Sequence, residues 1–251
     1  MSDELVRVRD LKKIFSVPAG ELHAVDGVDF SIARGSTIGI VGESGCGKST
    51  MGRLLAMLLE ATSGEILFDG QNIAKKMSKA EAMAYKKRIQ MIFQDPQSSL
   101  NERAKVSYIV GEGLMNVRPD LSAAEREAKV RQALLDVGLL PEFASRFPHE
   151  FSGGQRQRLM IARAIAPKPK ILIFDEATSA LDNITQKQVS DSLAKLKCTR
   201  IVVAHRLSTI KECDRIIVID KGKIAEDGTF DELIARGGFF AELVERQRAE
   251  V

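Results

Sequence analysis

"TIGIVGESGCGKSTMGRLL", residues 37–55, carries three signals in one short span. Its opening "TIGIVG" is a continuous apolar run, the pattern of a strand covered on both faces. "GESGCGKST" then satisfies G-x-x-x-x-G-K-[ST], with Gly42, Gly47, Lys48 and Ser49 in place. "KSTMGRLLAMLLE" follows with helical periodicity. Strand, glycine loop and helix in that order are the context in which this motif cradles phosphates. Glycines let successive backbone N–H groups turn inward, and the helix adds its positive N-terminal end. Lys48 would neutralise the β- and γ-phosphates of a nucleotide, and the Ser49 hydroxyl would ligate Mg2+. Glu43, Ser44, Gly45, Cys46 and Thr50 complete the loop. The competing reading is a glycine turn that merely links strand to helix.

A second apolar strand, "ILIFDE" at 171–176, ends in two acids. Open α/β sheets place ligands at the carboxyl ends of their strands. Asp175 would hold the magnesium shell there, and Glu176 would orient and polarise the attacking water. Acids in this position also cap helices, so the motif draws its weight from the upstream loop.

Working outward, "LVRVRDL" and "AVDGVDFSI" alternate around the turn-prone "PAGE" and read as short β-segments. "SGEILFDGQNI" reads as a hairpin about an Asp-Gly turn. From about Ser78 to Pro167 helices dominate. Among them "SAAEREAKVRQALLDVGL" opens on an N-cap Ser122 with Glu125 three residues on, and closes near Gly138. "KILIFD", "TRIVVAH" and "DRIIVIDKGKIAEDG" restore β-branched runs, and "GGFFAELVERQRAEV" reads as a helix after a Gly-Gly break.

Composition excludes several classes. Of 251 residues, 44% are apolar and 28% charged, ordinary for a globular chain with a sizeable core. A net charge of +3 from scattered basic residues gives no nucleic-acid stripe. No apolar run reaches the roughly 18–20 residues of a membrane span, and "MSDELVRVRD" lacks a signal-peptide core. Cys46, Cys198 and Cys213 show no CxxC spacing, which fits reduced thiols in the cytoplasm.

One stretch has no catalytic acid, metal-ligand pair or apolar face: "FSGGQRQR", residues 151–158. With it, "GESGCGKST", "FQDPQSSLN", "ILIFDEATSALD" and "VAHR" stand in the order of the ATP-binding-cassette ATPases, the nucleotide-binding subunits of ABC transporters, which this chain resembles over essentially its whole length. The resemblance implies an α/β phosphate-loop NTPase (RecA-like) core with a parallel sheet, an N-terminal antiparallel β subdomain and an inserted α-helical subdomain. It further implies one ABC ATPase domain over 1–251. Residues 1–95 and 166–235 would form the nucleotide-binding lobe, 96–165 the helical signature lobe, and 236–251 a C-terminal helix.

Residue by residue, Gln94 resembles the Q-loop glutamine that touches magnesium, and His205 the switch histidine that contacts the γ-phosphate. Ser179, Ala180, Leu181 and Asp182 resemble the D-loop, and Phe15 the aromatic that stacks on adenine. Taken alone, Gln94 reads equally as a satisfied loop amide, His205 as a structural histidine and Phe15 as core. His23 and His149 match no catalytic position. Ser152, Gly153, Gly154 and Gln155 resemble the signature that meets the γ-phosphate bound by the opposite subunit, at the head of a helix beginning near Gln155. An ordinary helix-capping loop is the competing reading.

Two such subunits, a homodimer or a pair of related ATPases, would sandwich ATP head to tail. Transmembrane permease subunits would hold the pair on the inner face of the cell membrane, and no nucleic acid is implied. Up to about residue 165 the chain resembles dipeptide and oligopeptide importer ATPases: "LHAVDGVDFSI", "RFPHEFSGGQRQR". After "IARAIA" it resembles peptide and bacteriocin exporters: "TRIVVAHRLSTI", "DRIIVIDKGKI", "GGFFAELVERQ". The reading is therefore a mosaic joined between Arg163 and Ile171, powering peptide transport. The alternative is a stand-alone or engineered cassette that binds ATP without a transport partner.

Overall fold

The computed structural model describes residues 3–18, 20–93, 99–175, 189, 193, 198–204 and 207–249. The chain forms two compact units, Met1–Lys86 with Thr199–Val251, and Lys87–Cys198.

In chain order the first unit begins with β1 (Glu4–Val17), β2 (Gly20–Ala33), β3 (Thr37–Val41), α1 (Lys48–Leu55), β4 (Ser63–Phe68), β5 (Gln71–Asn72) and α2 (Lys79–Lys86). The second unit supplies β6 (Ile89–Ile92), α3 (Val106–Val117), α4 (Ala123–Asp136), α5 (Gly153–Ile165) and β7 (Ile171–Asp175). The chain then returns with β8 (Thr199–Val203), α6 (Leu207–Lys211), β9 (Arg215–Asp220), β10 (Lys223–Gly228), α7 (Phe230–Arg236) and α8 (Phe239–Ala249).

The N-terminal segments are longer than their broken alternation suggests. β1 and β2 run 14 residues each and pair antiparallel, Val6 opposite Ile32 and Val8 opposite Phe30. The register shifts between Val8 and Leu11, where Asp10 takes a φ of 39° and its N–H donates to the Asp29 carboxylate at 3.1 Å. An extra residue at such a bulge flips the facing pattern, which hides a continuous strand from a period-two reading. β4 adds to β1, and β5 to β4, giving an antiparallel sheet ordered β2-β1-β4-β5. The β4–β5 turn is Asp69-Gly70 with φ of 52° and 80°. Two positive φ values give the primed turn that matches strand twist, so this hairpin forms as expected.

β3 is buried at all five residues and pairs parallel with both β8 and β9, while β10 returns antiparallel on β9. Side chains anchor the start of β3: the Asp214 carboxylate accepts from Thr37 N–H at 2.7 Å. The Thr199 hydroxyl accepts from Gly35 N–H at 2.9 Å. Lys221 and Gly222, with φ of 46° and 77°, close the β9–β10 hairpin by the same turn chemistry.

In the second unit β6 and β7 pair parallel, Gln90 opposite Leu172, and both lie outside the 96–165 lobe drawn from the sequence. α3, α4 and α5 pack through Leu114, Leu134 and Leu159, all fully buried. α4 starts where its sequence says. Ser122 Oγ accepts from Glu125 N–H, Glu125 returns the bond to Ser122 N–H at 2.8 Å, and Gly138 turns left-handed just past the end. Among the described residues no helix is long and apolar enough to cross a membrane.

Candidate functional site

The glycine loop leaves the buried end of β3 and runs into α1. Three of its glycines are left-handed: Gly42 at φ 151°, Gly45 at 78° and Gly47 at 108°. For two of them conformation is half the constraint. A Cβ on Gly42 would sit 2.1 Å from the Ile219 carbonyl oxygen and 2.6 Å from Cys46 Sγ. A Cβ on Gly47 would sit 2.1 Å from the Ala24 carbonyl oxygen. The loop is thus wedged between β2 and the β9 end, with no room for side chains on its inner wall. Gly45 faces open space.

Within this cradle Lys48 is only 5% exposed. Its ammonium donates to Gly42 O at 3.0 Å and Glu43 O at 2.7 Å, and lies 3.8 Å from Cys46 Sγ. A buried cation is tolerated only with partners of this kind. Carbonyl oxygens are the groups that phosphate oxygens can replace, so the lysine is held where an anion would meet it. Cys46 is buried, and that burial pushes its thiol above the ordinary range, which makes it a small wall residue rather than a nucleophile. Ser49 and Thr50, half-buried, open α1 beside it.

Gly222 belongs to this architecture, and the sequence reading passed over it. Its N–H donates to Cys46 O at 3.1 Å, its carbonyl accepts from Asp26 N–H at 2.9 Å, and a Cβ there would meet His23 O at 2.9 Å. It rivets the β9–β10 turn to both the loop and β2. The "KGK" turn was the available signal, but its target lies far away in the chain.

Phe15 is half-buried on β1, with the Lys13 ammonium 5.0 Å above its ring. It pairs with Leu22, two residues before Ala24 on β2. Strand geometry then puts Phe15 roughly 8 Å from the residue that abuts Gly47. His23, half-exposed, lies 3.7 Å from both Glu21 and Asp26. His149 stacks on Phe147.

In the second unit the signature stretch begins a helix, and begins it earlier than expected. α5 starts at Gly153, not near Gln155, because Ser152 is its N-cap. Ser152 Oγ accepts from Gln155 N–H at 3.3 Å, and Gln155 Oε1 accepts from Ser152 N–H at 2.9 Å. The capping interaction therefore exists. It consumes a lone pair of the hydroxyl and leaves its proton to donate elsewhere. Gly153 is exposed and a Cβ there would meet open space, so the first-turn amides are reachable by a ligand.

Asp175 ends β7 and is 5% exposed. Gln94, Glu176, His205 and the stretch Ser179, Ala180, Leu181 and Asp182 lie outside the described residues.

Residues 25–179 match a family model described as ABC transporter. The oligopeptide transport ATP-binding protein OppF of Bacillus subtilis (strain 168) is 45% identical over 238 residues, covering 93% of this chain and 78% of that protein. The oligopeptide transport ATP-binding protein AmiF of Streptococcus pneumoniae serotype 4 is 47% identical, covering 93% and 77%. Among solved structures, a dimeric post-hydrolysis state of the ATP-binding cassette MJ0796 bound to ADP and Pi superposes with a TM-score of 0.83 at 28% identity, over 90% of this chain and 98% of that one. A bacterial ABC exporter with ATP bound gives 0.82 at 32% identity, over 98% and 42%.

Proposed function

Because the chain belongs to the ABC transporter family, we propose that it is the ATP-binding and ATP-hydrolysing subunit of a peptide-class transporter and works as a dimer closed around ATP. The observation that carries this is the buried Lys48 held on two carbonyls inside a loop where Gly42 and Gly47 leave no room for a Cβ. A glycine loop running into a helix N-terminus, with a sequestered cation inside it, is a setting that favours phosphate groups.

In this reading the backbone from Gly42 to Thr50 wraps the phosphates and Lys48 exchanges its carbonyl partners for phosphate oxygens. Phe15, an accessible aromatic on the strand beside the loop, offers its face to adenine. Ser49, Asp175 and Gln94 would hold Mg2+, which supplies charge neutralisation at the phosphates. These donors suit that ion, being a hydroxyl, a carboxylate and an amide oxygen. Glu176 takes up the role of general base, orienting water against the γ-phosphate, and His205 contacts the same group.

Ser152, with Gly153, Gly154 and Gln155, completes the site from the partner subunit, and Ser179 to Asp182 line that junction. A capped helix end with an available hydroxyl proton and reachable amides supports this role. The peptide class rests on the oligopeptide transporters among the relatives. Permease subunits would place the protein at the inner face of the membrane.

The test is Glu176→Gln. It lowers hydrolysis by roughly 10²–10⁴-fold, the usual contribution of a positioned base, while ATP still binds. In sedimentation the variant is expected to become dimeric with Mg-ATP. Undiminished turnover removes Glu176 from the mechanism, and a monomer at every ATP concentration favours a stand-alone cassette.

A further inference from the structure

The last helix reaches back to the phosphate loop. Phe240 and Val244 of α8 are buried with Val41, Val218 and Leu233. Val41 is the final residue of β3, so the helix is seated on the strand that launches the loop. Its first turn is fixed as well, since the Glu226 carboxylate accepts from Phe240 N–H at 2.7 Å. From this base Arg246 extends its guanidinium to Glu43, Nη1 to Oε1 at 2.8 Å, across 203 positions of chain. Glu43 is the second residue of the loop, and its backbone carbonyl is the shorter of the two bonds to the Lys48 ammonium. One residue therefore joins α8 through its side chain and the buried lysine through its main chain.

A carboxylate is an awkward occupant of an anion cradle. Turned inward it would compete with phosphate for Lys48 and repel the triphosphate. Turned outward and paired, it does neither. The pair is exposed, 61% and 51% at the two side chains, with Glu242 a second and more distant carboxylate at 3.7 Å. Such a pair adds little to folding stability. Its effect is to choose the direction of a charge.

We propose that Arg246 is a positioning residue for nucleotide binding: by holding the Glu43 carboxylate out of the cradle, the C-terminal helix sets the affinity of the loop for polyphosphate. This rests on the phosphate-loop reading above. The strength follows from one unit charge about a Debye length from the ligand, which is worth a several-fold change in affinity at low salt.

The experiment is calorimetric titration of ATP and ADP into the full chain and five variants, the Glu43→Gln single and its Arg246→Gln double among them. Arg246→Gln is expected to weaken ATP about 3–5-fold and ADP less, because ADP carries less charge. The loss should shrink as salt rises toward 0.5 M. Arg246→Lys retains most of the affinity. In a Glu43→Gln background the Arg246→Gln loss falls below twofold, since an amide turned inward does not repel phosphate. Equal losses for ATP and ADP would mean that Arg246 acts through packing, and a loss that persists beside Glu43→Gln would mean that it acts without Glu43; either result overturns the proposal. Lys48→Ala separates the two levels: if it binds ATP as the parent does, the phosphate-loop reading itself falls. If Lys48→Ala loses ATP while Arg246→Gln does not, only the role of Arg246 is overturned.

Discussion

Replacing Gly47 by alanine tests whether the loop is shaped by its walls. At φ 108° any L-residue is strained, and the new Cβ would lie 2.1 Å from the Ala24 carbonyl oxygen. Carbon and carbonyl oxygen rarely approach closer than about 3.3 Å, so β2 or the loop must move by about 1 Å. Left-handed strain costs about 1–2 kcal/mol, and overpacking against a fixed backbone adds about 1–3 kcal/mol. Gly45→Ala is the matched control, since its φ of 78° is also left-handed but its Cβ would meet nothing within 4 Å. It should show only the first cost. For a domain of this size each kcal/mol moves Tm by about 2–4 °C, so Gly47→Ala should melt roughly 2–12 °C below Gly45→Ala. Thermal unfolding of both proteins, without nucleotide, reads the difference directly. Equal melting temperatures would show that Ala24 yields freely and that the cradle is not held by its neighbours.

Ser152 combines a cap with the expected donor to a partner's phosphate, and two substitutions separate the roles. Ser152→Ala should cost about 1 kcal/mol through the lost cap and also lower turnover. Ser152→Asp keeps a capping oxygen and near-parent stability but supplies a repelling charge, so turnover should be lost; preserved turnover in Ser152→Asp refutes the donor role. The Cys213 thiol is pushed up to about 12 from its usual 9.0, first by burial and then by Asp214. The folded protein therefore keeps a neutral thiol at pH values where the unfolded chain ionises. That stability is fully present below pH 9 and is lost as pH rises toward 12. Denaturant midpoints at pH 8 and 10.5 should fall more steeply for the parent than for Cys213→Ala, and parallel slopes would refute the assignment.

Much of this was legible because the deciding interactions are local. Asp69-Gly70 demands a primed turn wherever it sits between strands, and Ser122 with Glu125 closes a capping box within four residues. The glycine loop is readable for the same reason, since its pattern and its flanking strand and helix are contiguous. α5 starts at Gly153, ahead of the expected Gln155, because Ser152 and Gln155 close the same box and Gln155 is the third residue of the helix. Thr229 and Glu232 repeat that box before α7, a helix of seven residues too short for periodicity to register. The β1–β2 ribbon was hidden by bulges that break alternation. Gly222 and Arg246 were beyond reach for another reason. Their constraints come from Ala24, Cys46 and Glu43, partners about two hundred positions away that only the folded sheet brings near.

The resting place of Lys48 also bears on how the site lets go. On the proposed reading, a phosphate binding here would displace carbonyl ligands from an ammonium already shared between two of them. The same oxygens stand ready to take the ammonium back when the anion leaves. Such like-for-like replacement would lower the net gain from this lysine, and residence time is where affinity is mostly decided. A motor that must discharge its spent fuel on every stroke is served by a grip of that kind.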